Sequence, residues 1–188
     1  MKSDVSKLKA DFIEEVFFSN AFSAAVQHSR TYSVVDVPND NDKKKLRETI
    51  KVLLRDIRTS PQYSTGGVEQ EEHVRTIEKF ASDVTDAHRK HLYDNKFRIG
   101  TAQKLLNVYL KLYWCAEQIA EPPQCPIDRI IIGALDSEHH EVNWTTLDDL
   151  VGYQKLIDAA KSKASAGDEM LSLAVWELKS YSALAKRE

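Results

Sequence analysis

Apolar residues recur at helical spacing along most of the chain. The expected helices cover, in chain order, residues 5–28, 42–59, 68–94, 97–120, a short segment after Pro126, 146–164, and a segment ending near residue 186. In most of them apolar side chains fall at positions i, i+3, i+4 and i+7, which is the spacing of one helix face. The pattern therefore predicts an all-α bundle of about six or seven helices.

The segment 97–120 is expected to be the central, largely buried helix. Apolar side chains surround most of its circumference, and such a helix is normally packed by neighbours on several sides. Its narrow polar stripe consists of Gln103, Lys104, Asn107, Lys111 and Gln118. Buried lysines usually pair with a carboxylate, so we favour acidic side chains of the same fold opposite this stripe. A solvent groove and a ligand are the alternatives.

A proline-rich corner follows the central helix. Pro122 and Pro123 are expected to end that helix, because a proline ring cannot continue it, and Pro126 suits the first turn of the next helix. Cys125 is then expected near the N-cap, where the pKa of a thiol can be lowered, with Asp128 in the first turn. No base is evident beside Cys125, so we favour a structural role over a nucleophilic one.

The first helix changes character along its length. Its early part is amphipathic through Leu8, Phe12 and Val16, whereas residues 17–25 are apolar on nearly every side. A segment of this kind lies either deep in the core or in a subunit interface. We expect a mixture of the two, and therefore a homo-oligomer. Residues 31–37 follow as a short extended piece that has no obvious pairing partner.

The second helix carries the strongest electrostatic feature of the sequence. The cations on its outer face are Lys44, Arg47, Lys51, Arg55 and Arg58. These side chains suit a nucleic-acid backbone or an acidic partner. Surface helices are routinely rich in charge, so we favour a solvated face that is paired with acidic neighbours. The glutamates at the start of the third helix are natural candidates.

Two histidines near the end of the third helix, His88 and His91, are spaced so that both can bind one metal ion. No third ligand can be identified, so no metal site is predicted. We interpret the pair as the end of a buried seam, hydrogen-bonded to the backbone or to a carboxylate. His139 and His140 lie in a polar loop and are expected to be exposed.

Composition and charge narrow the class of protein. A length of 188 residues fits one domain, with N-terminal helices over 1–96 and the central and C-terminal helices over 97–188. Hydrophobic residues make up 42% and charged residues 29%, and the net charge of -3 argues against general coating of nucleic acid. Two cysteines form no disulfide framework, and no membrane span or signal peptide is evident. A cytoplasmic location without a membrane partner is expected.

Catalytic signatures are missing from the sequence. It contains no glycine-rich phosphate loop, nucleophile elbow or paired-cysteine zinc motif, and it indicates no particular cofactor. The favoured hypothesis is therefore a non-enzymatic helical interaction protein that self-associates.

An anionic-ligand site around the central helix is the alternative hypothesis, with a nucleotide or nucleic acid as the ligand. The binding candidates would be Lys104, Asn107, Lys111 and Arg129, and the candidates for catalysis would be His88, His91, Cys125 and Asp128. In such a site lysine and arginine would neutralise phosphate, and a histidine would move protons. Whether the protein is an enzyme is left open by these residues.

Overall fold

The computed structural model describes residues 2–166 and 170–185, and within these ranges it contains eight α-helices and no β-strand. In chain order they are α1 (Lys2–Phe22), α2 (Asp40–Thr59), α3 (Pro61–Thr65), α4 (Gln70–His88), α5 (Ile99–Cys115), α6 (Arg129–Ala134), α7 (Leu150–Ser165) and α8 (Leu173–Ala185). The all-α bundle is therefore confirmed. Among the described residues, no helix combines the length and the apolar character that crossing a bilayer requires.

Helix α5 is the central helix of the bundle, as its apolar circumference predicts. It contacts α1, α2, α4 and α7, and every residue from Ile99 to Asn107 is buried. It is shorter than the predicted 97–120, because the chain leaves the helix at Cys115, well before the prolines. Glu117 has a φ of 57° there, and the N–H groups of Glu117 and Gln118 donate to the carbonyls of Trp114 and Tyr113. This pairing is a Schellman motif, which ends a helix without proline.

The later part of the first helix lies in the core. Phe18, Ala21 and Ala25 are fully buried, and a π-helical turn over Ser23–Gln27 extends the helical path beyond α1. These residues therefore lie in the core, one of the two places expected for them, and α5 packs against both the helix and the π-helical turn. The expected homo-oligomer stays a prediction.

The extended piece after the π-helical turn has a pairing partner that the sequence pattern did not reveal. The N–H of Ser33 donates to the carbonyl of His91, and the N–H of Tyr93 donates to the carbonyl of Thr31, both at 2.9 Å. The partner segment exists because α4 ends at His88, earlier than the predicted residue 94. Short 3-10 turns follow, and Asp94 there has a φ of 51°.

The corner after α5 differs from the expected arrangement in one respect. Asp128 is the N-cap of α6, and its Oδ1 accepts hydrogen bonds from the N–H groups of Ile130 at 3.0 Å and Ile131 at 3.1 Å. The helix therefore begins three residues after Pro126, and Cys125 does not lie at its N-terminus. Helix α7 likewise begins later than predicted, at an N-cap formed by Asp149.

Candidate interaction surface

The first half of α1 extends beyond the helices that pack against its second half. Every residue from 4 to 12 is exposed. Val5 is 52% exposed, Leu8 62% and Phe12 69%, and Val16, at 36%, continues the same line. Spacings of three and four residues place these four side chains on one helix face, which we call the α1 stripe.

An uncovered apolar stripe on a projecting helix requires a physical explanation. A short helix without tertiary packing is only marginally stable in water, because most helical stability in proteins comes from burial of an apolar face. Contiguous apolar surface on a soluble protein commonly marks an interaction site. The α1 stripe is therefore the candidate interaction surface of this chain.

Two glutamates mark the point at which α1 begins to pack on the bundle. The carboxylate of Glu15 accepts hydrogen bonds from Arg47 at 2.8 Å and from Lys51 at 2.6 Å. The hydrogen bond from Lys51 is the largest cause that lowers the pKa of Glu15, to about 2. Helix α2 therefore directs its basic residues towards α1, and the expected pairing with the glutamates of α4 is not the one that forms.

The neighbouring Glu14 is the acceptor of a half-buried cluster that joins three helices. Its carboxylate accepts hydrogen bonds from the hydroxyls of Tyr109 at 2.8 Å and Tyr113 at 2.6 Å, and from Arg58 at 3.1 Å. The Arg58 guanidinium also lies 4.1 Å from the centroid of the Tyr113 ring. Burial raises the pKa of Tyr113 to about 12, so this tyrosine remains a donor. We call these four side chains the Glu14 cluster; sequence spacing gave no signal for it.

The five cations predicted as a nucleic-acid face have separate environments. Arg47, Lys51 and Arg58 bind the carboxylates of α1, and Arg47 also lies 4.5 Å from the ring centroid of Phe18. Lys44 and Arg55 are exposed. The structure thus places two of these side chains in solvent and three against α1, in agreement with the favoured interpretation of a face paired with acidic neighbours.

The lysines of the α5 polar stripe both contact carboxylates of the same chain. The Nζ of Lys104 lies 3.2 Å from Asp128 and 4.3 Å from the centroid of the Trp144 ring. The Nζ of Lys111 lies 2.9 Å from Glu177, whose pKa is raised by burial. These contacts match the interpretation that acidic groups of the fold face the stripe, and they leave neither lysine directed at an open cleft.

Of the other candidates for an anionic-ligand site, Asp128 pairs with Lys104, whereas Asn107, Arg129 and His88 have separate environments. Asn107 is fully buried, whereas Arg129 is exposed and donates to the carbonyl of His140 at 3.3 Å. His88 lies against α2 and its Nε2 is 2.8 Å from the hydroxyl of Thr49. The structure therefore does not bring these residues together around one opening.

The histidine pair does not share a helix face, because α4 ends at His88 and a 3-10 turn carries His91. The Nε2 of His91 lies 3.9 Å from Asp42. Burial lowers the pKa of His88, which favours its neutral form. Among the residues that the structure describes, no group of three or more His, Cys, Asp or Glu side chains is arranged to hold a metal ion.

The environment of the Cys125 thiol in the corner disfavours the reactive thiolate form. Cys125 is 1% exposed, and burial raises its pKa well above the ordinary range. A protonated, inaccessible thiol is a poor nucleophile. The structural role that we favoured for Cys125 agrees with this placement.

A buried relay of hydrogen bonds fixes the helices around α5. The hydroxyl of Tyr63 lies 2.7 Å from Nδ1 of His73, whose Nε2 lies 2.8 Å from Oδ1 of Asn107. The amide of Asn107 donates to the hydroxyl of Tyr153 at 3.3 Å, and that hydroxyl donates to Gln124 in the corner. All donors can point in one direction if His73 is neutral with its proton on Nε2. We call this the His73 relay, and nothing in the spacing of His73 predicted it.

The burial of His73 in this relay is expected to make the free energy of unfolding depend on pH. Burial lowers the pKa of His73 from 6.5 to about 4. Between these values the unfolded chain binds more protons than the folded one, so the contribution is complete above pH 6.5 and is lost as pH falls towards 4. We expect the free energy of unfolding to fall by about 3 kcal/mol across this window. Urea unfolding at closely spaced pH values measures it.

A glutamine at position 73 tests the assignment of this pH dependence. His73→Gln removes the titrating group while keeping a side chain that can hydrogen-bond, so most of the slope between pH 6.5 and 5 should disappear. His88→Gln is the comparison, since burial lowers the pKa of His88 as well. If the pH dependence of the free energy of unfolding persists in His73→Gln and disappears in His88→Gln, it arises from His88 and the assignment to His73 is wrong.

Comparison with protein-family models, with curated proteins and with solved structures gave no significant match. The interpretation of the α1 stripe therefore depends on the geometry of this chain alone.

Proposed function

We propose that this protein is a non-enzymatic helical interaction protein that self-associates through the α1 stripe. The observation that carries the proposal is the exposure of Val5, Leu8 and Phe12, each more than half exposed on a helix segment whose residues 4–12 are all exposed. The apolar face that no other described helix covers lies in the first half of α1. It precedes the apolar run over residues 17–25, from which the sequence predicted an oligomer.

The charges beside the stripe favour a protein partner. Lys7, Lys9 and Asp11 all lie on the exposed segment, and both signs of charge therefore flank the apolar residues. A surface of mixed charge with an apolar centre resembles ordinary protein interfaces, which have an apolar core and a polar rim. A nucleic-acid surface would instead be expected to carry cations without interspersed acidic groups.

The expected strength of the association is modest. Complete burial of a valine, leucine or phenylalanine side chain contributes about 1.5–3 kcal/mol. The four stripe side chains are partly covered already, so their burial in one contact contributes on the order of 5 kcal/mol. Association itself costs about 4–15 kcal/mol, so the partner surface must add comparable apolar area. At the lower end of that cost the net gain is about 6 kcal/mol, so we expect a dissociation constant of tens of micromolar.

Charge introduced into the stripe is expected to abolish self-association. In Leu8→Glu/Phe12→Glu, two carboxylates would have to be buried in the contact, and an unpaired buried charge is strongly unfavourable. We expect the dissociation constant to rise by about 100-fold or more. Native mass spectrometry and sedimentation over a range of protein concentrations measure the subunit count, and the mass spectra also report any retained ligand.

The matched control places the same charges on exposed apolar residues outside the stripe. Val34 is 73% exposed and Val35 87%, both in the loop after α1. Val34→Glu/Val35→Glu should associate as the wild type does. A wild type that is monomeric at high concentration, or a stripe variant that associates as strongly as this control, would contradict the proposal.

A further inference from the structure

A second uncovered apolar surface lies between α2, α3 and α4. It is a solvent-open groove of about 400 Å³ whose accessible lining is mainly apolar. The apolar side chains that line it are Leu53, Ile57, Tyr63 and Phe80. Leu53 and Ile57 are only half-buried in the isolated chain, so this α2–α4 groove can cover further apolar side chains.

The rim of the groove and the flanks of the α1 stripe carry complementary charges. Among the described residues, neither Asp56 nor Arg75 on the rim has an ion-pair partner, and the same holds for Lys7, Lys9 and Asp11 on α1. The remaining charged side chains of the rim are already bound: Glu72 accepts from Gln62 at 2.6 Å, and Lys79 donates to Asp83 at 2.8 Å. The groove therefore offers one anion and one cation, and the flanks of the stripe offer a cation, Lys9, on one side and two anions, Asp4 and Asp11, on the other.

The α1 stripe of a molecule does not occupy the groove of the same molecule. Glu14 and Glu15 hold α1 against Arg58, Arg47 and Lys51 of α2, and the stripe remains exposed in that position. A stripe that enters this groove must therefore come from another copy.

We infer that the α2–α4 groove of one copy receives the α1 stripe of another copy. This inference rests on the proposed self-association and names its second surface. Leu8 and Phe12 would enter the groove between Leu53 and Ile57, with Lys9 on one flank of the stripe directed to Asp56 and Asp11 on the other flank directed to Arg75. An amphipathic helix in an apolar groove is a common mode of recognition.

The groove is a better partner for the stripe than a second stripe is. Two projecting helices that meet along narrow stripes leave their remaining sides in water, whereas a concave groove covers a helix on more than one side. The same contact also satisfies unpaired charges on both surfaces. Because stripe and groove are different patches, the contact either closes reciprocally in a two-fold dimer or continues heterologously from copy to copy.

Reversing the two unpaired rim charges tests the groove without disturbing the core. Asp56 and Arg75 are exposed, so Asp56→Lys/Arg75→Glu should fold normally while placing like charges opposite the flanks of α1. We expect self-association to weaken by about tenfold or more. The matched control, Arg55→Glu/Glu78→Lys, reverses one exposed cation of α2 and one exposed anion of α4 that do not line the groove. It should associate as the wild type does.

Mixing the rim variant with Leu8→Glu/Phe12→Glu separates the groove contact from a contact between two stripes. The rim variant keeps an intact stripe and the stripe variant keeps an intact groove, so the mixture should form a 1:1 complex, resolved by mass, that neither variant forms alone. A rim variant that self-associates with wild-type affinity would overturn the groove while the proposed function stands. Two folded, monomeric variants that do not combine would overturn it as well. A stripe variant that self-associates normally would instead contradict the proposed function.

Discussion

Replacing Gly100 with alanine is expected to lower the free energy of unfolding by about 3 kcal/mol, at the upper end of the usual cost of overpacking. A Cβ atom at this position would lie 1.7 Å from the carbonyl oxygen of Trp144 and 3.1 Å from the Cβ of Leu147. The nearest atom belongs to the backbone, so no side-chain rotation can relieve the clash. The N–H of Gly100 donates to the carbonyl of Leu147 at 2.9 Å, and this bond would also be strained. Urea unfolding monitored by circular dichroism measures the loss.

A second glycine in a helix provides the matched control. A Cβ atom added to Gly133 in α6 would meet nothing within 4 Å. Alanine is the better helix former by about 1 kcal/mol in a helix interior, so Gly133→Ala should be neutral or stabilising. Equal effects of the two substitutions would show that the loop around Trp144 does not approach α5 as closely as the structure describes.

The contrast between these glycines shows what periodicity can establish. The apolar circumference of residues 97–120 predicted a central helix, and α5 occupies that place because a helix without a polar face must be covered on several sides. Periodicity does not reveal which backbone approaches which, so Gly100 and Gly133 look alike in the sequence. The early end of α5 was likewise hidden, because its Schellman motif places Glu117 where glycine is usual.

The spacing of the α1 stripe likewise does not reveal whether another helix covers it. The spacing of Leu8, Phe12 and Val16 predicts an apolar helix face, but a covered face and an uncovered face have identical spacing. Only the structure separates them, since Phe18 is fully buried whereas Leu8 is 62% exposed. The polar partners of α5 were predicted by chemical type, as carboxylates facing lysines. The individual residues could not be chosen, because Asp128 and Glu177 are far from these lysines in the sequence.

Loss of Glu14 is expected to destabilise the protein by about 2–3 kcal/mol, somewhat below the usual cost of breaking a fully buried ion pair. Glu14→Met keeps the length of the side chain and removes the acceptor of three hydrogen bonds, from Arg58, Tyr109 and Tyr113. Arg58, only 18% exposed at its side chain, would then keep a charge without a counter-ion. Arg58→Met should cost less, since the Glu14 carboxylate would retain both tyrosine donors. Chemical unfolding of the two single variants and of the double variant gives the coupling.

The adjacent Glu15 is the control, because it binds cations as Glu14 does but is much more exposed to solvent. It also binds two cations, Arg47 and Lys51, but its side chain is 53% exposed, against 14% for Glu14. Exposed ion pairs contribute about 1 kcal/mol or less, so Glu15→Met should have the smaller effect. If Glu14→Met costs no more than Glu15→Met, the Glu14 cluster does not anchor α1. If the order is as expected, the Glu14 cluster anchors α1 on the bundle, which is the fixed base that the proposed contact of the stripe requires.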